Sequence, residues 1–133
     1  MPRYTVSRIM DALNDHGKAV NGSNILVLGV AYKPNIDDIR ESPALDVIGL
    51  LKTKGAEVSY HDPFIPSLLT HEDERMESVS DLMGAVKKAD CVVIITNHDS
   101  YNYSSILADA TLIFDSRNAL GKMGKDNPKV VIL

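Results

Sequence analysis

A loop over residues 29–42 holds most of the side chains in this chain that are suited to bind an anion. Its sequence, GVAYKPNIDDIRES, includes Lys33, whose ammonium group suits a phosphate, and Arg40, whose planar guanidinium suits a phosphate or a carboxylate. Asp38 is placed to fix Arg40 through a bidentate ion pair. The alternative is a solvated loop that makes only surface ion pairs. We favour anion binding, because loops of this length without structure of their own are uncommon in compact domains and tend to be functional.

Four other polar residues follow predicted strands. Arg117 comes directly after an apolar run and could reach a bound anion. His98 and Asp99 suggest acid–base chemistry, but neighbours in sequence do not face each other as an orienting pair must, so we favour a capping or loop role. Asp62 stands where dinucleotide-binding folds place a ribose-binding acid, yet we favour a turn-forming role before Pro63.

No catalytic nucleophile and no metal site is predicted. Cys91 is the only thiol, and it begins the most apolar run of the chain, so we expect a buried structural role rather than reactivity. The four histidines are scattered, and with one cysteine they offer no ligand spacing for zinc.

Apolar runs that alternate with helical segments position these residues. The first run, NILVL at residues 24–28, is apolar without alternation, which is typical of a parallel strand covered on both faces. Ser42 and Pro43 open the best-marked helix, and Gly55 closes it. The charged stretch HEDERME, at residues 71–77, predicts a solvated loop. Further strands are predicted at residues 58–60, 91–95, 112–114 and 130–133, and further helices at 2–16, at 103–108 and after an N-cap at Ser80.

Strands that alternate with helices specify right-handed βαβ crossovers and a parallel sheet. The predicted fold class is therefore α/β, with a doubly wound, mostly parallel, Rossmann-like sheet preceded by an N-terminal amphipathic helix. The glycine fingerprint of dinucleotide-binding folds, G-x-G-x-x-G, is absent after the first strand, where residues 29–34 read GVAYKP. Only one glycine is present and Pro34 has no N–H group, so no backbone cradle for a pyrophosphate is predicted.

The composition is that of an ordinary globular domain, and it excludes several classes of function. The 133 residues are 44% hydrophobic and 24% charged, with a net charge of −4 and no basic cluster denser than Lys87–Lys88, so nucleic-acid binding is not expected. The longest apolar run, residues 91–95, is far shorter than the roughly 20 residues of a membrane span, and the N-terminus shows no signal-peptide pattern. Together with the single cysteine, these features predict a soluble, cytoplasmic protein that binds no membrane.

The loop sequence, with YHDP at residues 60–63 and FDSR at residues 114–117, closely resembles the C-terminal domain of the UDP-glucose/GDP-mannose dehydrogenase family. The string YKPNIDDIRESPA looks most like the branch that acts on UDP-N-acetylhexosamines. Residues 1–17 resemble the stretch in which the family's central helical domain leads into the C-terminal domain. We therefore assign residues 1–20 to a helix continuing from a missing central domain, with no partner for its apolar stripe in a free-standing domain. Residues 21–133 are assigned to the UDP-sugar-binding domain.

The resemblance implies that the enzyme's tasks are divided between domains. Family members oxidise the C6 hydroxymethyl group of a nucleotide sugar to a carboxylate, for polysaccharide biosynthesis, with two NAD and through a cysteine thiohemiacetal. An N-terminal domain supplies the NAD site and that cysteine, so this chain alone is expected to be inactive. By their position in the motifs, Tyr32, Lys33 and Arg117 are implied to bind the UDP-sugar, and Arg40 to reach the NAD. The full-length enzyme is implied to be a homodimer.

Two alternatives without catalysis remain open at this stage. One is a regulatory interaction module of the receiver type, although Gly29 and Val30 do not supply the pair of acids that a receiver needs after its first strand. Phosphorylation that depends on Mg²⁺ would favour this alternative. The other is a stand-alone α/β nucleotide-binding protein, which a coding sequence that continues upstream of Met1 would exclude.

Overall fold

The computed structural model describes residues 2–35, 37, 39 and 42–133. In these residues the chain forms one five-stranded sheet, one two-stranded hairpin, four α-helices and a short 3-10 helix at Gly121–Met123. The elements in chain order are α1 (Pro2–Asp15), β1 (Asn24–Leu28), α2 (Pro43–Thr53), β2 (Glu57–His61), β3 (Ser67–Leu69), β4 (Arg75–Glu77), α3 (Leu82–Lys88), β5 (Cys91–Ile94), α4 (Tyr103–Asp109), β6 (Ile113–Asp115) and β7 (Val130–Ile132). No helix among the described residues combines the length and the apolarity needed to cross a membrane.

The main sheet has the strand order β2-β1-β5-β6-β7, and every neighbouring pair in it is parallel. Helices cover both of its faces. Ile25 and Val27 of β1 pack with α1 and α2, whereas Leu26 and Leu28 pack with α3 and α4. Because both faces of β1 are buried, its sequence is apolar throughout. The predicted doubly wound α/β fold is confirmed.

The boundaries of α2 follow from local sequence signals. The Ser42 side chain accepts a hydrogen bond from the Ala44 N–H at 3.2 Å, and Pro43 is the first helical residue. Gly55 follows the helix with a φ of 92°, a left-handed conformation that glycine adopts without steric strain. The start and end predicted for this helix are therefore confirmed.

Helix α1 packs against this domain. Val6, Ile9 and Leu13 are all buried, and they belong to the same core as Ile48 and Leu51 of α2. The expectation that the apolar stripe of this helix has no partner within a free-standing domain is wrong, because the apolar residues of α2 cover it. The division of the chain at residue 20 stays a prediction.

Two local predictions are corrected by the structure. The charged stretch is part of a β-hairpin, in which β3 pairs antiparallel with β4 and Leu68 faces Met76. Strands of three residues are too short to show an alternating pattern, so the sequence pattern did not indicate them. The N-cap of α3 is Asp81 rather than Ser80, since the Asp81 carboxylate accepts the Gly84 N–H at 3.0 Å.

Asp90 joins the connector after α1 to the sheet. Its Oδ1 lies 2.7 Å from Lys18 Nζ, and its Oδ2 accepts the Asn24 N–H at 2.8 Å. The hydrogen bond from Lys18, and then that from Asn24, hold the pKa of the Asp90 carboxyl below its ordinary value of 3.8. Since the folded-state pKa is depressed, the contribution of Asp90 to stability is present above the unfolded pKa and is lost as the pH falls through the folded pKa.

We expect Asp90→Asn to lower the free energy of unfolding at neutral pH by about 0.5 kcal/mol, because the ion pair is partly exposed. The variant should also lose less stability than the wild type on acidification from about pH 5 to about pH 3. Urea denaturation at several pH values measures both effects. Asp11→Asn, at an exposed position of α1, is the control. Parallel stability profiles for wild type and Asp90→Asn would contradict the assignment.

Candidate functional site

The carboxyl ends of the parallel strands meet at one edge of the main sheet. β1 has β2 on one side and β5 on the other, and α2 and α3, which lead to these neighbours, lie on opposite faces. This arrangement is the topological switch point at which open α/β sheets bind ligands. The residues that follow β1, β2, β5 and β6 therefore form the candidate site.

Asp62, directly after β2, accepts hydrogen bonds from the loop that follows β1. Its Oδ2 accepts the N–H groups of Val30 at 2.8 Å and Ala31 at 3.0 Å. Its Oδ1 accepts the Phe64 N–H at 2.8 Å, which is the turn-forming role predicted before Pro63. The side chain is buried, so this carboxyl group is a structural acceptor enclosed by backbone donors.

The described residues do not fit the pyrophosphate cradle of a dinucleotide. In glycine-fingerprint folds the N–H groups after the first strand are available for a phosphate. In this chain the N–H groups of Val30 and Ala31 are already donated to Asp62. The missing glycine fingerprint thus coincides with an internal carboxylate that accepts the first N–H groups of the loop.

His98, after β5, connects Asp62 to the same loop. Its Nε2 lies 2.9 Å from Asp62 Oδ2, and its Nδ1 lies 2.8 Å from the Asn35 backbone nitrogen. A backbone N–H can only donate, so Nδ1 is the acceptor and Nε2 carries the proton that it donates to Asp62. The imidazole ring is fully buried. The predicted loop role of His98 agrees with this geometry.

The contact between His98 and Asp62 was not anticipated from the sequence. Both residues follow strands that flank β1, one on each side, but the strand order was needed to bring them together. The available signal was that each follows a predicted strand, and the carboxyl ends of these strands are expected at the same edge of the sheet.

Two residues anchor the loop after β1. The first is Ala31, which contacts Asp62 and Thr96, and the second is Asn35. Its side chain donates from Nδ2 to Asp99 Oδ2 at 3.0 Å and accepts the Asp99 N–H at Oδ1, also at 3.0 Å. Asn35 has a φ of 65°, a left-handed conformation that asparagine tolerates better than most residues. At the other end of the segment, the Thr96 hydroxyl donates to the Ala31 carbonyl oxygen at 2.7 Å. Segment 29–35 is therefore held at both ends by residues that follow β2 and β5.

Tyr32 and Lys33 lie between the two anchors and face solvent. The exposed fraction of Tyr32 is 41%, and Lys33 is also exposed. Lys33 Nζ lies 5.6 Å from the centroid of the Tyr32 ring, within the range of a cation–π contact. The structure thus brings together two of the residues implied to bind a nucleotide sugar.

Arg117 lies on the loop that follows β6, at the same edge of the sheet. The buried Asp115 carboxylate organises this loop by accepting the N–H groups of Arg117 at 3.1 Å, Ala119 at 2.9 Å and Leu120 at 3.0 Å. Arg117 is exposed. Since β5 separates β6 from β1, the two loops begin about 10 Å apart, or two strand spacings. The predictions for Arg40 and Asp38 lie outside the described residues.

Cys91 has the buried position that was expected. It is fully enclosed in β5 on the side of α1 and α2, and burial raises the pKa of its thiol to about 12. A thiol with such a pKa remains protonated and is a poor nucleophile at neutral pH. Among residues 2–35, 37, 39 and 42–133, no group of three or more His, Cys, Asp or Glu side chains could hold a metal ion.

A groove of about 680 Å³ lies away from this edge, between α1, α2 and the β3–β4 hairpin. Four of its titratable side chains form two pairs. His71 Nε2 lies 2.8 Å from Asp46 Oδ1, and Lys52 makes an ion pair with Glu74. We do not assign the candidate site to this groove, because it contains none of the residues that follow the strands of the main sheet.

The chain is similar to known proteins over most of its length. A family model described as the UDP binding domain of the UDP-glucose/GDP-mannose dehydrogenase family matches residues 26–122, which include both loops. The UDP-glucose 6-dehydrogenase TuaD of Bacillus subtilis (strain 168) is 35% identical over 83% of this chain and 25% of its own length. The UDP-N-acetyl-D-mannosamine dehydrogenase of Methanococcus maripaludis (strain C7) is 35% identical over 76% of this chain and 22% of its own length. The chain therefore spans about a quarter of the length of the curated relatives it matches.

Solved structures of dehydrogenases are also similar to this chain in fold. The NDP-N-acetyl-D-galactosaminuronic acid dehydrogenase of Methanosarcina mazei Go1 superposes with a TM-score of 0.80 at 26% identity, over 99% of this chain and 28% of its own. The UDP-D-ManNAc dehydrogenase of Pyrococcus horikoshii has a TM-score of 0.75 at 29% identity, over 91% of this chain and 28% of its own.

Proposed function

This chain belongs to the UDP-glucose/GDP-mannose dehydrogenase family, and we propose that it is the part of such an enzyme that binds the UDP portion of a nucleotide sugar. The complete enzyme would use NAD to oxidise the sugar C6 hydroxymethyl group to a carboxylate for polysaccharide biosynthesis. The catalytic cysteine would lie in the remainder of that enzyme, since Cys91 is buried and protonated. This chain alone would therefore be inactive.

The proposal rests on the hydrogen bonds that backbone N–H groups of the loop after β1 already make within the chain. Asp62 accepts the backbone N–H groups of Val30 and Ala31, so these two donors are not available to a phosphate and exposed cations at this edge are the candidates to bind it. Lys33 and Arg117 are both exposed here, on separate loops, and two cations on different sides suit the two phosphates of UDP. The exposed ring of Tyr32 adds an apolar face beside Lys33.

The same observation supports a separate location for NAD. Because the described residues do not fit a dinucleotide cradle, we propose that NAD is bound mainly by the part of the enzyme outside this chain, with Arg40 reaching toward it. The homodimeric state and the cytoplasmic location are likewise proposals.

For the sugar we propose a UDP-N-acetylhexosamine, from the sequence of the loop. The two relatives described above act on different sugars by name and are equally similar to this chain.

We expect Lys33→Ala to raise the Kd of the 133-residue chain for UDP by about tenfold or more, because a hydrogen bond to a charged group contributes about 1.5–3 kcal/mol. Titration with UDP, followed by amide NMR, measures the Kd. The amide resonances of Tyr32, Lys33 and Arg117 should shift as the ligand binds.

Lys54→Ala is the matched control for this experiment, since Lys54 is an exposed lysine just after α2, at the opposite edge of the sheet. It should bind UDP as the wild type does. An unchanged Kd for Lys33→Ala would remove Lys33 from the site, and an absence of shifts at millimolar UDP would contradict UDP binding by this chain.

A further inference from the structure

We propose that His98 is a positioning residue for UDP: by accepting the Asn35 N–H, it holds segment 29–35 in the conformation that presents Tyr32 and Lys33 to the ligand. The inference rests on the proposed function and deepens it. His98 itself is fully buried, so it acts through the loop and not by contact with the nucleotide.

The two anchors of the segment lie very close to the residues they would position. Ala31 is held through both its N–H, by Asp62, and its carbonyl oxygen, by Thr96. Asn35 is held through its N–H, by His98, and through its side chain, by Asp99. Only residues 32–34 lie between the anchors, and the ring of Pro34 removes one of their backbone rotations. The direction in which Lys33 projects is therefore set by both anchors together.

The two hydrogen bonds of the His98 ring require one particular tautomer. Asp62 accepts at Oδ2 and the Asn35 N–H donates, so the ring must be a donor at Nε2 and an acceptor at Nδ1 at the same time. Neutral imidazole in its Nε2–H form meets this requirement. Phe64 packs against one side of the ring, with centroids 5.0 Å apart, and Tyr101 lies 6.0 Å away, which limits other orientations.

The expected size of the effect follows from the population of the binding-competent loop. The apparent Kd equals the intrinsic Kd divided by the fraction of molecules in the competent conformation. If loss of the hydrogen bond from the Asn35 N–H to His98 lowers that fraction to about one tenth, the apparent Kd rises about tenfold.

Two conservative variants of His98 separate its two hydrogen bonds. In His98→Asn, the amide oxygen is as many bonds from Cβ as Nδ1 and can accept the Asn35 N–H, while the donor to Asp62 is lost. In His98→Gln, the amide nitrogen is as many bonds from Cβ as Nε2 and can donate to Asp62, while the acceptor for Asn35 is lost. Both variants remove one buried hydrogen bond, so both should lower stability by similar amounts. Ile106→Val, in the core that α3 and α4 form with the sheet, is a control for mild loss of stability alone.

The experiment measures three quantities for each variant: the Kd for UDP by NMR titration, the free energy of unfolding, and the hydrogen-exchange rate of the Asn35 amide. We expect His98→Gln to raise the Kd about tenfold and to speed exchange at Asn35, whereas His98→Asn and Ile106→Val keep a Kd within about threefold of the wild type. Long-range NMR correlations of the His98 ring should show a proton on Nε2 only.

Different outcomes overturn different proposals. If wild type binds UDP and His98→Gln binds equally well, or if the Kd follows the loss of stability in all variants, the positioning role is wrong and UDP binding stands. If wild type does not bind UDP, the proposed function of this chain is wrong. Exchange at Asn35 that is unaffected by His98→Gln would overturn the positioning role without any ligand.

Discussion

Replacement of Asp62 by alanine should lower the free energy of unfolding by about 4 kcal/mol, because it leaves several buried donors without an acceptor. The N–H groups of Val30 and Ala31 and the Nε2–H of His98 all point at one carboxylate oxygen. Each buried donor that loses its partner costs about 1–3 kcal/mol. Urea denaturation followed by circular dichroism measures the effect.

Asp62→Asn keeps this measurement usable if the alanine variant is largely unfolded. The asparagine has nearly the same shape but one acceptor oxygen fewer, so its loss of stability should lie between those of wild type and Asp62→Ala. Asp109→Ala is the control, since Asp109 is exposed at the end of α4 and, among the described residues, its one ion pair is the 4.0 Å contact with Lys87. Losses of similar size for Asp62→Ala and Asp109→Ala would show that the Asp62 network contributes little.

Gly29→Ala should lower the free energy of unfolding by about 3 kcal/mol or more, since this glycine has no room for a side chain. A Cβ atom at Gly29 would lie 2.7 Å from Thr96 Cβ and still closer to the Thr96 carbonyl oxygen, which is backbone and cannot rotate away. The φ of 81° adds about 1–2 kcal/mol for an L-residue in the left-handed region. Overpacking adds about 1–3 kcal/mol.

Gly22→Ala separates the contribution of backbone strain from that of overpacking. Gly22 has a φ of 84°, almost the same as that of Gly29, but a Cβ at Gly22 meets no atom within 4 Å. Its loss of stability should therefore reflect backbone strain alone. The difference between the two alanine variants, taken from denaturant unfolding, gives the contribution of the close approach between β1 and β5. Equal losses would mean that the two strand ends separate easily to admit a methyl group.

The elements that the sequence predicted well are those marked by their own residues. The start of α2 depends on Ser42 and Pro43 and its end on Gly55, all within one short segment. The β3–β4 hairpin was missed because its strands are short and its one buried leucine, Leu68, is covered by the rest of the core rather than by a local pattern.

The candidate site was predictable in its residue types but not in its construction. The loop after β1 was recognisable from its length and from Lys33, and the structure describes that lysine at the surface. The network beneath it joins Asp62 and His98, which are 36 residues apart in the sequence. Their contact depends on β1 lying between β2 and β5, and hydrophobic periodicity does not specify strand order.

The Asp62 carboxylate would compete with a free anion for the N–H groups of Val30 and Ala31, and it is part of the chain. Tethered to the end of β2, it faces the N–H groups of Val30 and Ala31 at a high effective concentration, so a free phosphate in solution would have to displace a ligand that is always present. Removing that carboxylate would also expose the buried donors described above. The backbone N–H groups of Val30 and Ala31 are therefore closed to an external anion for as long as Asp62 holds them.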